Sequence, residues 1–459
     1  MAGKPSAGGK TIESKADLIA WFESGNKPKT DWRIGTEHEK FVFDRETLRP
    51  LPYEGAQSIN SLLQGMTRFG WQPILEGKNI IALSHANGGA ISLEPGGQFE
   101  LSGAAVANLH QTCAEVTQHL VEVKQICDQI NAGVIGMGFN PKWRREDIPW
   151  MPKGRYKIMR DYMPKVGKLG LDMMLRTCTV QVNLDYESEA DMVKKFRTSL
   201  ALQPIATALF AASPFTEGRP NGFQSYRSHI WTDTDHDRCG VLPFVFEEGF
   251  CFESYVDYLL DVPMYFVYRD GAYIDASGQS FHDFMAGRLP ALMGEKPAIG
   301  DFIDHVSTVF PEVRLKKYLE MRGADAGPAR GLVALPALWV GLLYDDLALD
   351  AAWDEVKDWT ISDHETLRRE VPRLGLAARH RGETVRDISL RILAIAREGL
   401  RHRAVAGLSN GGKEVDESVY LDRLFAIAAS GRTLATEMLE DYGTHWNGDV
   451  SRVFAERGY

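Results

Sequence analysis

The chain has 459 residues, 44% hydrophobic and 25% charged, with a formal net charge of −10 and a pI near 5.7. That composition is globular, sized for one large domain or two intimate ones, and its acidity argues against general nucleic-acid binding, which needs a basic face. No apolar run approaches the roughly 18 residues of a membrane span, and MAGKPSAGGK has no hydrophobic signal core, so a cytoplasmic address is expected.

Five cysteines without a CxxC spacing suggest neither a disulfide framework nor a zinc cluster. Cys113 and Cys127 fall on a helical apolar stripe and Cys178 on the apolar side of a strand, which reads as reduced and mostly buried thiols. Cys239 and Cys251 fit no pattern.

Residues 1–10, rich in Gly, Lys and Ser, are expected to be disordered. Ser14 and Asp17 form a capping pair for a helix over 14–24, stopped by Gly25. RIGTEHEKFVF, residues 33–43, reads as a strand whose alternation puts Glu37 and Glu39 on the side of Phe41 and Phe43, opposite Thr36, His38, Lys40 and Val42. Two carboxylates so placed repel unless water screens them or a cation binds between them. Residues 58–69 read as a helix, and 80–101 as strands punctuated by the turns HANGGA and EPGGQ. Residues 104–131 carry apolar side chains at spacings of three and four, which predicts a long amphipathic helix.

The stretch 141–168, with four prolines and basic residues interleaved with Trp and Tyr, reads as a long structured loop. Its local positive charge suits phosphates or carboxylates, although a solvated basic face has the same composition. TCTVQVNLDY, 177–186, is a strand with Thr179, Gln181, Asn183 and Asp185 on its polar side. A helix follows over 188–212, then a polar and aromatic tract over 222–240. Residues 313–322 alternate again, aligning Arg314, Lys316, Tyr318, Glu320 and Arg322. Beyond about 330 the chain turns to helices with no flexible linker before them. The expected organisation is one catalytic domain over 11–459, comprising a sheet-containing core (11–330) and a helical part packed on it (331–459).

Several familiar motifs fail. No GxxxxGK[ST] occurs, GVIGMGFN lacks the third glycine of a dinucleotide fingerprint, and there is no HExxH. GLSNG at 407–411 matches GxSxG but does not join a strand to a helix. DTDHDRCG at 233–240 puts Arg238 where a calcium loop needs glycine and Phe244 where it needs its terminal Glu.

What remains is a set of polar strand sides. The first strand offers Glu37 and Glu39, and ISLEPGGQFEL offers Glu94 and Glu100. A three-residue loop at Pro95–Gly97 pairs 92 with 100 and sets both acids on one side; a two-residue turn separates them. Gln181 and Asn183 come from the third strand, Glu320 and Arg322 from the fourth. A wet antiparallel sheet also alternates. Here, however, the acids recur almost unpaired, and oxygen-only ligands suit Mg²⁺ or Mn²⁺ shared with nucleotide phosphates. The residues alone suggest an α+β magnesium–nucleotide enzyme whose antiparallel sheet has one polar active face.

The strings RIGTEHEKFVF, SLEPGGQFELSG, PKWRREDIPWMPKGRY, MMLRTCTVQVNLDY, QPIATALFAASPFTEGRPNGF, RSHIWTDTD and RLKKYLEMRGADAGP closely resemble the glutamate–cysteine ligase family of plants and many proteobacteria. The likeness covers nearly the whole chain and is densest over 31–345. It implies a glutamine synthetase-like fold, an antiparallel sheet forming an open half-barrel or funnel covered by helices. It also implies ATP-dependent joining of the glutamate γ-carboxylate to the cysteine amine, the first step of glutathione synthesis.

Carried onto this chain, the resemblance implies Glu37, Glu39, Glu94, Glu100 and Glu320, with Gln181, as ligands of Mg²⁺ (Mn²⁺ as the alternative). It implies Arg322 against the transferring phosphoryl group, Arg227 and Trp231 around glutamate, and Lys153, Arg155 and Asn183 near nucleotide or other anions. The expected partners are ATP, glutamate and cysteine, with no nucleic acid or membrane, in a monomer or homodimer. Plant members carry redox-active cysteine pairs. The positions matched here hold Ala276 and Ala291, and Gly133 opposite Cys113, so no disulfide switch is expected. The short N-terminus agrees better with a bacterial cytoplasmic protein than with a plastid one. Two other readings stay open: a ligase joining glutamate to a different amine, and a non-catalytic metal- or nucleotide-binding relative.

Overall fold

A computed structural model of the chain describes residues 8–405 and 416–459; residues 1–7 and the GLSNG tract lie outside the described residues. The disorder expected through residue 10 does not extend to 8–10, because the Gly8 and Lys10 carbonyls accept from the Gly300 and Ile299 amides at 3.1 and 2.9 Å.

Nine strands make the main sheet: β1 (Ile34–Asp44), β2 (Gln72–Glu76), β3 (Asn79–Ser84), β4 (Ala90–Leu93), β5 (Phe99–Ser102), β6 (Ala132–Ile135), β7 (Thr179–Leu184), β8 (Val313–Leu315) and β9 (Leu319–Asp325). Their order is β8-β9-β7-β1-β5-β4-β3-β2, all pairs are antiparallel, and β6 pairs with the far half of β1. Since β8 and β2 do not pair, the sheet is open rather than a closed barrel. The fold is α+β, an open antiparallel sheet with one polar side and a helical cover.

The sequence 313–322, read as one strand, is instead a hairpin. Lys316–Tyr318 turn the chain, and Arg314 comes to lie opposite Glu320. The basic stretch at 141–168 also contains more than loop. Gly154–Tyr162 is a helix burying Tyr156, Ile158 and Met159, its periodicity masked by the interleaved Lys and Arg.

In chain order, the helices that matter most are α1 (Leu109–Gln129), α2 (Gly154–Tyr162), α3 (Glu189–Leu209), α4 (Tyr226–Ile230), α5 (Ala334–Leu343), α6 (Ile361–Leu374) and α7 (Val385–Val405). The Asn108 side chain accepts from the Gln111 amide and starts α1 later than the apolar stripe alone suggests. Val180, Val182 and Leu184 on the apolar side of β7 share one core with α3, α5 and α7, so the helical region after 330 closes over the sheet. On β1 the site-side residues change from acids to Phe41 and Phe43, which pack edge-on against Trp143 and Phe454 and close that end.

All five cysteines are free. The pairing of Cys113 with Gly133 is corrected by the packing. Cys113 lies in the first turns of α1 and lines a surface groove with Val333 and Tyr420, whereas a Cβ on Gly133 would enter the Phe43 ring.

Helices α5 and α7 touch backbone to backbone where Gly341 meets Gly399, and a Cβ on Gly399 would run into the Gly341 carbonyl. In an open helix, Gly→Ala stabilises by up to about 1 kcal/mol. Here Gly399→Ala is expected to lower stability by about 1–3 kcal/mol, because the helices must separate. Urea unfolding midpoints decide the sign, and an unchanged or raised midpoint would contradict the close approach.

Candidate active site

The strand register gathers the polar side chains onto one side of the sheet. Glu320 lies opposite Asn183, Gln181 opposite Glu37, Glu39 opposite Glu100, and Glu100 opposite Ser92. The Pro95–Gly97 turn is the three-residue loop, with the Glu94 amide donating to the Gln98 carbonyl at 3.0 Å, so Glu94 and Glu100 share a side.

Charge divides this surface in two. At the β8–β9 end Glu320 is fully buried and its carboxylate accepts from Arg314 Nε (2.6 Å), Arg322 Nη1 (3.0 Å) and Lys316 Nζ (3.3 Å). Burial alone would raise its pKa, but the three cations, Arg314 foremost, hold it well below the usual carboxylate range. Arg322 also donates to Gln181 Oε1 at 2.7 Å, and Asn183 Nδ2 donates to Glu37 Oε1 at 2.8 Å.

At the β1–β5–β4 end the acids crowd together. Burial, then Glu37 and Glu94, push the Glu100 carboxyl up to about 8, even though the Ser92 hydroxyl donates to it. Glu39 is raised well above its ordinary value by burial, Glu100 and Glu94, against the pull of Arg227 and the Thr179 amide, which donates to Glu39 Oε2 at 2.9 Å. Lys153, from the segment leading into α2, is lowered to about 8 by burial and Arg155, while Glu94 and Glu100 oppose the shift. Its Nζ reaches the Leu93 carbonyl at 3.3 Å.

A cavity with about 580 Å³ of empty space opens over this surface. Glu39, Glu94, Arg155, Arg227, Trp231 and Arg322 all line it. Glu37, Glu100, Lys153, Gln181, Asn183 and Glu320 flank it within the strand register or through hydrogen bonds to its lining, Lys153 through the Tyr156 hydroxyl. Arg227 on α4 donates to the Arg322 carbonyl at 3.0 Å, and Trp231, which lines the cavity, has a buried indole N–H with no hydrogen-bond partner among the described residues.

Sequence reasoning passed over several residues of this site. Tyr156, Met159, Met173, Met174 and Phe310 line the cavity from segments without a strand signature. Arg314 and Lys316 were placed on the correct side without a role; the turn between them and Glu320 is what converts alternation into ion pairs. Asp325 was not singled out, because a bulge hides its side from a simple count. In the failed calcium-like tract, Asp235 and Arg238 form a fully buried ion pair at 2.5 Å, a structural part.

The chain matches the profile of glutamate–cysteine ligase family 2 over residues 33–456. It is 57% identical over 447 residues to the chloroplastic glutamate–cysteine ligase of Arabidopsis thaliana, covering 97% of this chain and 83% of that one. To the chloroplastic glutamate–cysteine ligase B of Oryza sativa subsp. japonica it is 57% identical, covering 97% and 87%. A crystal structure of glutamate–cysteine ligase from Francisella tularensis in complex with AMP superimposes with a TM-score of 0.55 at 11% identity, over 93% of this chain and 88% of that one, a likeness of fold. The expected cytoplasmic address is overturned here, since relatives at 54–57% identity are chloroplastic enzymes. With the family profile spanning almost the entire chain and full-length relatives well above half identical, the protein belongs to glutamate–cysteine ligase family 2.

Proposed function

We infer that the chain joins the γ-carboxylate of glutamate to the amine of cysteine with ATP as co-substrate, through a γ-glutamyl phosphate. The observation that carries this reading is the division of one sheet side into a crowded acid cluster and a set of guanidinium groups at a common cavity.

A carboxylate is a poor acylating agent, so it must first become an acyl phosphate, which brings two anions together. Glu37, Glu39, Glu94 and Glu100 form an all-oxygen donor set in which burial and neighbouring carboxylates raise the Glu39 and Glu100 carboxyls, which fits a hard divalent cation. Mg²⁺ held there supplies charge neutralisation for the nucleotide phosphates. We assign Glu320 and Gln181 first to holding Arg322. Glu320 serves as a ligand only once its three cations release it.

Arg322 and Arg227 offer guanidinium groups to the phosphoryl oxygens and to the glutamate carboxylate, and Trp231 walls the same pocket. Lys153, Arg155 and the Asn183 amide add donors for bound anions. Attack by the cysteine amine on the acyl carbon then forms the amide and expels phosphate.

Incubating the protein with Mg²⁺, ATP, glutamate and a panel of amines tests the reading. Phosphate release dependent on cysteine, with γ-glutamylcysteine as product, is expected; faster turnover with another amine would replace the acceptor. Arg322→Ala should keep the fold and lose about a hundredfold or more in kcat, and an intact rate would remove Arg322 from the reaction.

The acid cluster also sets a pH dependence. Glu100 titrates at about 8 in the folded protein against an ordinary 4.5, so the folded state binds the extra proton between those values. Through Glu100 the metal-free protein should therefore lose stability as pH rises through that window, by roughly 1.4 kcal/mol per pH unit, with Glu39 acting in the same direction. Saturating Mg²⁺ should flatten or reverse the slope. Melting temperatures at pH 5.5 and 8, with EDTA and with Mg²⁺, check this; parallel profiles would remove metal from the acid cluster.

A further inference from the structure

Asp325, at the end of β9, is buried and belongs to none of the roles assigned above. The strand carries one extra residue between Met321 and Ala324 relative to β7, which brings Asp325 opposite Thr179 and back to the side of Glu320. A carboxylate there accepts three bonds: from the Ala212 amide (2.9 Å), the Ser213 hydroxyl (2.6 Å) and the Ser225 hydroxyl (2.8 Å).

Those two hydroxyls are the connection to the site. With each proton directed at Asp325, each oxygen is left as an acceptor. Ser213 Oγ accepts from the Arg227 amide at 3.2 Å, and Ser225 Oγ caps α4 by accepting from the Ser228 amide at 3.2 Å. The other end of Arg227 returns to the same strand, with Nη2 donating to the Arg322 carbonyl at 3.0 Å. Arg227 is thus tied to β9 at its backbone, through Ser213 and Asp325, and at its guanidinium, through the Arg322 carbonyl, and Asp325 is also the foremost charge favouring its buried cation, against the burial that lowers its pKa.

We propose that Asp325 is a positioning residue for the ligase reaction: through Ser213 and Ser225 it sets the placement of α4, and so directs the Arg227 guanidinium at the substrate carboxylate. This rests on the assignment of Arg227 to glutamate made above. The Asp325 carboxylate touches no substrate. It works as an acceptor-only group, which an amide of the same shape cannot reproduce because one of its two ends must donate.

The test is a split of kinetic constants in the full-length enzyme. Asp325→Asn should raise the KM for glutamate by about tenfold or more, with the KM for ATP and for cysteine each within about twofold. Ser213→Ala, which removes the hydroxyl that joins Asp325 to the Arg227 amide and leaves the Ser225 connection in place, should move the same constant in the same direction by a smaller factor, and it stands in for the test if Asp325→Asn does not fold. Arg227→Lys is the reference, and the Arg227→Lys/Asp325→Asn double variant should be no worse than Arg227→Lys alone.

Equal rises in all three KM values together with a lowered melting temperature would mean a purely structural residue and overturn the proposal. An unchanged glutamate KM in Asp325→Asn or, where that variant does not fold, in Ser213→Ala, beside a raised one in Arg227→Lys, would overturn it as well. An unchanged glutamate KM in Arg227→Lys itself would instead sink the assignment of Arg227, and the proposal with it.

Discussion

Carboxylates forced together out of bulk water are the constraint on which the structure turns. Glu39, Glu94 and Glu100 stand together on one sheet side, where burial raises the proton affinity of Glu39 and Glu100 and Glu94 adds to both shifts. Such a cluster opposes folding unless it binds protons or cations. Cations are present nearby, but the hairpin of β8 and β9 commits them elsewhere: Arg314, Lys316 and Arg322 all bind Glu320. Keeping these three cations on one carboxylate leaves Glu39 and Glu100 with raised proton affinity, in spite of the pull of Arg227 on Glu39. A surface that can neutralise nucleotide phosphates needs that imbalance.

The reverse side of β1 shows how tightly the strand is held. His38 and Lys40 point away from the acids and are fully buried, and Lys40 Nζ meets His119 Nε2 of α1 at 2.9 Å and the Phe99 carbonyl at 3.1 Å. Burial lowers Lys40 to about 7 against the pull of Glu39 and Glu100 across the sheet, and it lowers His119 further. The ladder to β5 and β7 fixes the register, and a slip of one residue would exchange Glu39 for Lys40 at the cavity.

Much of this was readable from residue order because strands announce their sides. Period-two alternation placed Glu37, Glu39, Gln181, Asn183, Glu320 and Arg322, and the length of the EPGGQ turn settled Glu94 against Glu100. Features that depend on distant packing stayed hidden. The helix at Gly154–Tyr162 buries Tyr156, Ile158 and Met159 within a basic string, so its charge masked its period. Asp325 lies past a bulge, where counting by twos gives the wrong side. Gly133 belongs beneath Phe43 rather than across from Cys113, a matter of which strand β6 joins.

The helical region after 330 is part of the same circuit. Arg368 of α6 donates to the Trp231 carbonyl at 2.9 Å and to Glu312 Oε1 at 3.3 Å, and the Glu312 carbonyl in turn accepts from the Arg322 amide at 3.1 Å, inside the bulge of β9. One guanidinium from outside the sheet therefore ties the backbone of a cavity wall to the strand that carries both Arg322 and Asp325. A bulge leaves backbone groups without ladder partners; here Glu312 and the Arg227 side chain take up those of Arg322, and Gln203 and Thr207 of α3 take up those of Gly323. Local departure from regular pairing is what allows a single strand to present Glu320 and Arg322 to the cavity and still anchor α4 from behind. Helix α3 directly, and α6 through Glu312, hold that departure in place.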